Sequence, residues 1–132
     1  MNNYLVDTSI WIEFFKGTQI QIKDFITSRI DEDGIFYNDI ILSELLIGAL
    51  HEKEFNFLKL NFAGFKYLGL DKQVFQMTSE MGYQLRRNGK IIPLTDLIVA
   101  SQCIVNQVKI VTLDKHFQII SQYFDLAVFQ IQ

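Results

Sequence analysis

Short apolar runs alternate with stretches of helical spacing along nearly the whole chain, and that alternation restricts the fold more than any other feature. Runs at 3–6, 35–38, 66–70, 109–113 and 126–130 are rich in large apolar or β-branched residues and read as strands. Between them, helical patterns fall near 9–16, 20–31, 40–49, 52–63, 72–88, 95–106 and 116–123. Strands separated by helices favour parallel pairing. The expected class is therefore α/β with a mainly parallel five-stranded sheet. Gly17, Gly34, Gly64 and Gly89 punctuate four of the helical stretches, and Pro93, the only proline, stands just ahead of the sixth. Asp31-Glu32-Asp33-Gly34 reads as a solvated turn.

With 132 residues, 49% of them hydrophobic, the chain has the size of a single domain over 1–132 and can bury roughly two-thirds of its unfolded surface. No linker-like composition or internal repeat divides it. Cys103 has no partner for an intramolecular bridge, and its neighbours Ile104 and Val105 give it a small, buried, apolar role, which fits a reducing cytoplasm. The first apolar stretch is broken by Asp7 and Glu13 and lacks a basic leader, against the pattern of a secretory signal. No run approaches the roughly 18 apolar residues of a spanning helix, so no membrane partner is expected. A net charge of −3 argues against a broad basic surface that coats nucleic acid, while leaving room for a local basic patch or a bound cation.

Four of the fifteen acids interrupt an apolar context at an element boundary: Asp7, Glu44, Asp96 and Asp114. Asp7 follows Tyr4-Leu5-Val6, and Asp114 follows Ile110-Val111-Thr112-Leu113. Both therefore stand at the carboxyl end of a strand, where open α/β sheets keep their sites. Glu44 is flanked by Ile40, Ile41, Leu42, Leu45, Leu46 and Ile47, so its helix reads as apolar on most sides and the carboxylate needs a partner. Each acid also has a plainer reading. Asp96 beside Thr95 can cap a helix, Asp114 can open a turn, Glu44 can pair with a lysine or arginine, and Asp7 can accept from nearby backbone donors.

Taken together, two strand-end acids and two acids near helix starts all face the carboxyl edge of a parallel sheet. Two like charges about 5 Å apart repel by roughly 3 kcal/mol at an effective dielectric of about 20. Without a cation, some of these groups should have raised pKa values. Magnesium or manganese relieves the repulsion, being hard ions that take oxygen ligands; the Cys/His ligand set of a zinc site is absent from the sequence. Such an ion can activate water for in-line attack on a phosphodiester and neutralise the scissile phosphate.

These residues resemble a known family. Asp7-Thr8-Ser9 after the first strand, Ser43-Glu44-Leu45 followed by Gly48, Arg86 and Gly89 ahead of Thr95-Asp96-Leu97-Ile98-Val99-Ala100, and Thr112-Leu113-Asp114 followed by Phe117 together look like a PIN domain. The resemblance covers nearly the whole chain. It implies a three-layer α/β/α sandwich and, for a small stand-alone member, a VapC-type toxin: a magnesium- or manganese-dependent endoribonuclease with Asp7, Glu44, Asp96 and Asp114 at the acidic metal-binding positions. Thr8, Ser9 and Thr112 would then orient carboxylates or a metal-bound water. The resemblance also implies a homodimer, an RNA substrate, and a cognate antitoxin whose segment docks in a groove near the early helices. Two departures are visible: Asn106-Gln107 replaces a small residue ahead of the fourth strand, and Pro93-Leu94 makes the approach to Asp96 less polar.

Arg86, Arg87 and Lys90 cluster ahead of the Asp96 segment, and Lys115 with His116 follows Asp114, so they can grip phosphates of RNA or simply complement a helix dipole. Neither His51 nor His116 has a nucleophile or second ligand at suggestive spacing, which argues against a His-based triad. Trp11, Phe14, Phe15, Phe25, Phe55, Phe57, Phe62 and Phe65 exceed what one small core readily hides, and any exposed members would form a partner patch. An aspartyl-nucleophile hydrolase would place a second acid two residues after Asp7, where Ser9 stands, and a phospho-receiver would want paired acids there. The remaining rivals are a housekeeping RNA-processing nuclease and a module that binds RNA or protein without cutting it.

Overall fold

The computed structural model describes residues 2–30, 32 and 34–131; Asp31 and Asp33 of the expected turn lie outside the described residues. The element order is β1 (Tyr4–Val6), α1 (Thr8–Lys16), α2 (Ile20–Ile30), β2 (Ile35–Tyr37), α3 (Asp39–Ile47), α4 (Glu52–Phe62), β3 (Lys66–Tyr67), α5 (Lys72–Arg87), α6 (Leu94–Asn106), β4 (Lys109–Val111), α7 (Lys115–Ser121) and β5 (Val128–Phe129). Each expected element is present.

The strands form one sheet in the order β3-β2-β1-β4-β5, and every pairing is parallel. From β1 the chain steps outward through β2 to β3, then crosses back to β4 and continues to β5. The helices pack in two groups, α1–α4 and α5–α7, and the right-handed rule for parallel crossovers assigns them to opposite faces of the sheet, which gives the three layers. The reversal leaves β1 and β4 adjacent, with Val6 opposite Val111. Central strands covered on both faces need continuous apolar sequence, and Leu5, Val6, Ile110 and Val111 are all fully buried. Cys103 lies inside this core, and burial pushes its thiol pKa up, in keeping with an inert, apolar role.

Strands β3, β4 and β5 are each shorter by two residues or more than the sequence pattern predicts. After Tyr67 the ladder continues by a single bond, Leu68 N to Tyr37 O at 2.8 Å. The carbonyls of Leu68 and Gly69 then turn to the side chain of Gln102, at 2.9 and 2.7 Å. Strand β4 ends at Val111 because the next side chain, Thr112, enters a hydrogen-bond network at the sheet edge. Strand β5 is reduced to two residues, which pair with Ile110 and Val111. Among the described residues no helix is long and apolar enough to cross a membrane.

Candidate functional site

The site grows out of the last bond between the two central strands. Asp7 N donates to Val111 O at 2.9 Å, and beyond it both chains leave the sheet. Asp7 occupies the N-cap position of α1, yet its carboxylate makes no capping bond to the helix. Instead one oxygen, Oδ2, accepts from Ser9 Oγ and from Thr112 Oγ1, both at 2.9 Å. The hydroxyls are themselves held: Ser9 Oγ accepts from Leu113 N at 3.0 Å, and Thr112 Oγ1 accepts from Asp114 N at 2.9 Å. Residues following β1 and β4 are thus cross-linked by side chains where hydrogen bonding of the sheet stops.

The other acids arrive on helix starts. Asp114 is a true cap, its Oδ1 accepting from His116 N at 2.9 Å. Asp96 sits in the first turn of α6, but Pro93 holds the N-cap position, so the capping reading of Asp96 does not apply. Its Oδ2 lies 2.7 Å from His116 Nδ1, which is also 3.3 Å from Asp114 Oδ1. Glu44, on α3, accepts from Thr8 Oγ1 at 3.0 Å. Asp7, Asp96 and Asp114 all stand at helix N-termini, where the peptide dipoles favour negative charge.

Burial and mutual repulsion set the protonation of this group. Asp7 is nearly inaccessible, and desolvation pushes its pKa up; the Thr112 and Ser9 hydroxyls oppose that, and Asp114 adds to it. Glu44 and Asp96 are raised as well, in both cases first by desolvation. Thr8 offsets part of the rise at Glu44 and His116 part of that at Asp96. Further upward pressure comes from Asp7, Asp96 and Asp114 on Glu44, and from Asp114 and Asp7 on Asp96. All four sequence-selected acids therefore share one electrostatic field. Among the described residues no lysine or arginine pairs with any of them. A donor set of this kind suits a hard divalent cation.

The PIN domain family model matches residues 4–122 of this chain. The chain belongs to the PIN domain family. Ribonuclease VapC11 of Mycobacterium tuberculosis is 26% identical over 126 residues, covering 92% of this chain and 94% of the relative. Among solved structures, DNA-bound VapBC from Salmonella typhimurium superposes with a TM-score of 0.84 at 19% identity over 98% of each chain. VapBC2 from Rickettsia felis, bound to a DNA fragment from its promoter, gives 0.82 at 20% identity over 98% of each.

In this PIN domain the basic residues expected to meet RNA phosphates form no ion pair with the four acids among the described residues. Arg86 and Arg87 occupy the last turn of α5, Lys90 the following loop and Lys115 the first position of α7, all of them exposed. Arg87 reaches the Tyr83 hydroxyl at 3.5 Å and lies over that ring, 5.6 Å from its centroid. Glu44 departs from expectation. Its helix is less enclosed than its apolar neighbours imply: Ile47 is 85% exposed, and the Glu44 partner is a threonine hydroxyl, not a cation. His51 serves as the N-cap of α4, accepting from Glu54 N. His116, by contrast, joins the site. Sequence reasoning placed it among phosphate-gripping candidates because its approach to Asp96, twenty residues away, exists only once α6 and α7 pack.

An apolar groove of about 620 Å³ adjoins the acids, lined by Ile12 and Phe15 of α1, Leu45 of α3, Leu50, and Phe57 and Leu58 of α4. Thr8 and Glu44 belong to its wall, so groove and acidic site share two residues. Behind it, Trp11 and Phe62 are buried and pack edge to face at 4.9 Å, while Phe15 stacks on the indole at 5.8 Å. The aromatic surplus divides accordingly. Trp11, Phe25 and Phe62 are core, Phe14 and Phe65 are partly covered, and Phe15, Phe55 and Phe57 remain exposed.

Proposed function

We propose that this PIN domain is a magnesium- or manganese-dependent endoribonuclease, a single nuclease domain over residues 1–132, and the cytoplasmic toxin of a toxin–antitoxin pair. The observation that carries this reading is the convergence of Asp7, Glu44, Asp96 and Asp114 at the β1–β4 switch point with no basic partner among the described residues. Those four carboxylates would hold the ion. When bound, it supplies charge neutralisation at the scissile phosphate and activates water for in-line attack. The chain's own residues supply order. Ser9 and Thr112 fix one oxygen of Asp7, Thr8 holds Glu44, and the backbone N–H of His116 fixes Asp114. Lys115, next to Asp114, is the cation best placed to meet an RNA phosphate, with Arg86, Arg87 and Lys90 extending the basic contribution.

The groove is the docking site we assign to the antitoxin. Its exposed apolar lining, Ile12, Phe15, Leu50 and Phe57, fits the apolar side of an amphipathic segment. The shared wall at Thr8 and Glu44 would let an occupant act on the acidic site itself. Complexes of VapB with VapC among the structural neighbours support this partner class.

The test separates cutting from binding. In wild-type protein, magnesium or manganese should raise the melting temperature and support cleavage of RNA, since a ligand specific to the folded state stabilises it. Asp7→Asn and Asp96→Asn should each lose most of the ion-dependent increment and at least about 100-fold of the cleavage rate. Unchanged cleavage in both variants would reject the assignment, and RNA binding with no cleavage in the wild type would favour a non-catalytic module.

A further inference from the structure

His116 brings to the acidic site a donor chemically unlike the other four. Its Nδ1 lies 2.7 Å from Asp96 Oδ2 and 3.3 Å from Asp114 Oδ1. One ligand atom from each of the three residues falls within 4.8 Å of the others. Around an ion with bonds of about 2.1 Å, neighbouring corners of an octahedron are about 3 Å apart. The two separations measured from Nδ1 bracket that edge. The backbone of the triad is also held in place. Asp114 N is held by Thr112 Oγ1, His116 N by Asp114 Oδ1, and Asp96 by its place in the first turn of α6.

Two roles are open to such an imidazole. As a hydrogen-bond donor it would only orient Asp96, leaving the remaining lone pairs of the carboxylate to an ion. As a neutral ligand, with its one proton on Nε2 and the Nδ1 lone pair free, it turns three close donors into one face of a coordination sphere. We propose that His116 is a nitrogen ligand beside Asp96 and Asp114, so that this site selects a first-row transition ion such as Mn2+ over Mg2+. Magnesium takes oxygen ligands and gives up its waters reluctantly, whereas imidazole suits transition ions. The inference rests on the nuclease reading, which supplies the need for an ion.

The experiment is metal binding by calorimetry on the metal-free protein, titrated with MnCl2 or MgCl2, for wild type and His116→Gln. Pulsed paramagnetic resonance of the Mn2+ complex reads hyperfine coupling to nitrogen directly. Glutamine keeps the backbone N–H that Asp114 caps. We expect Mn2+ to bind the wild type at least about tenfold more tightly than Mg2+. His116→Gln should lose about tenfold or more in Mn2+ affinity, change less than about twofold for Mg2+, and lose the nitrogen coupling. A wild-type Mn2+ complex without nitrogen coupling, or an equal loss for both ions, overturns the inference and makes His116 a group that only orients Asp96. If ion-dependent RNA cleavage persists in that case, the nuclease reading survives. If the wild type binds neither ion, both fail. Should His116→Gln not fold, the wild-type coupling alone decides.

Discussion

Thr112 holds the centre of the site with one hydroxyl, donating to Asp7 Oδ2 and accepting from Asp114 N. The side chain is buried, so neither contact is readily replaced by water. Thr112→Val keeps the shape and removes the hydroxyl, leaving a buried acceptor and a backbone donor each short of a partner. We expect a stability loss of about 1–3 kcal/mol in urea denaturation at neutral pH. We also expect RNA cleavage to fall by about 10–100-fold, because the groups behind metal-site carboxylates set their orientation. Thr112→Ser should retain cleavage within a few-fold. If valine and serine behave alike, the hydroxyl has no such role. A supporting place for Thr112 was available in the sequence only through the family resemblance; its two hydrogen bonds come with the fold. The role of His116 was not legible, because a histidine at a helix start is equally at home as a solvated residue, and its contact with Asp96 is set by packing between helices.

At the level of elements, two polar features fix where the acids stand. Asn38 caps α3 through Ile41 N at 2.8 Å and donates to Gln102 Oε1 of α6 at 2.6 Å, both side chains being fully buried. Gln102 spends its amide on the carbonyls of Leu68 and Gly69. This network ties α3, which carries Glu44, to α6, which carries Asp96. Gln102→Leu would leave the Asn38 amide and two carbonyls without partners, and we expect a loss of about 2–4 kcal/mol in a denaturant titration. A loss below about 0.5 kcal/mol would show that water or rearrangement satisfies them. The second feature is Gln107, which ends α6 with φ of 56°, a conformation that strains any residue bearing a Cβ. Gln107→Gly should raise stability by about 0.5–1 kcal/mol, measured as a higher midpoint with unchanged m-value. In the sequence Asn106-Gln107 stood out only as a bulky turn. Element positions were readable throughout because apolar periodicity records burial directly. The shortening of β3 and β4 was not, because Gln102 and Thr112 draw the chain away from the ladder through contacts distant in sequence.

For the molecule as a whole, the acidic site sets ion binding against intrinsic stability. Asp7, Glu44 and Asp96 all have raised pKa values, with burial the leading cause. The folded chain therefore holds their protons more tightly than the unfolded chain does. Stability from these groups is fully present below the ordinary carboxylate range and is lost as pH rises through their elevated values. A metal-free sample in chelator should consequently melt at a higher temperature as pH is lowered from about 7 toward 5. Magnesium or manganese acts in the opposite sense, since it binds the ionised carboxylates. At about 100 times its dissociation constant it adds roughly 2.7 kcal/mol, and that increment should shrink on acidification as protons compete for the oxygens. The two melting curves should therefore converge toward low pH. Asp7→Asn removes a desolvated charge while leaving an oxygen for Ser9 and Thr112 to donate to. Metal-free Asp7→Asn should thus melt above the metal-free wild type at neutral pH, with a flatter pH profile and a smaller response to the ion. Differential scanning fluorimetry across this range measures all four combinations. A metal-free wild type that loses stability between about pH 7 and 5, or an Asp7→Asn variant with an unaltered slope, would show that the carboxylates do not carry this linkage.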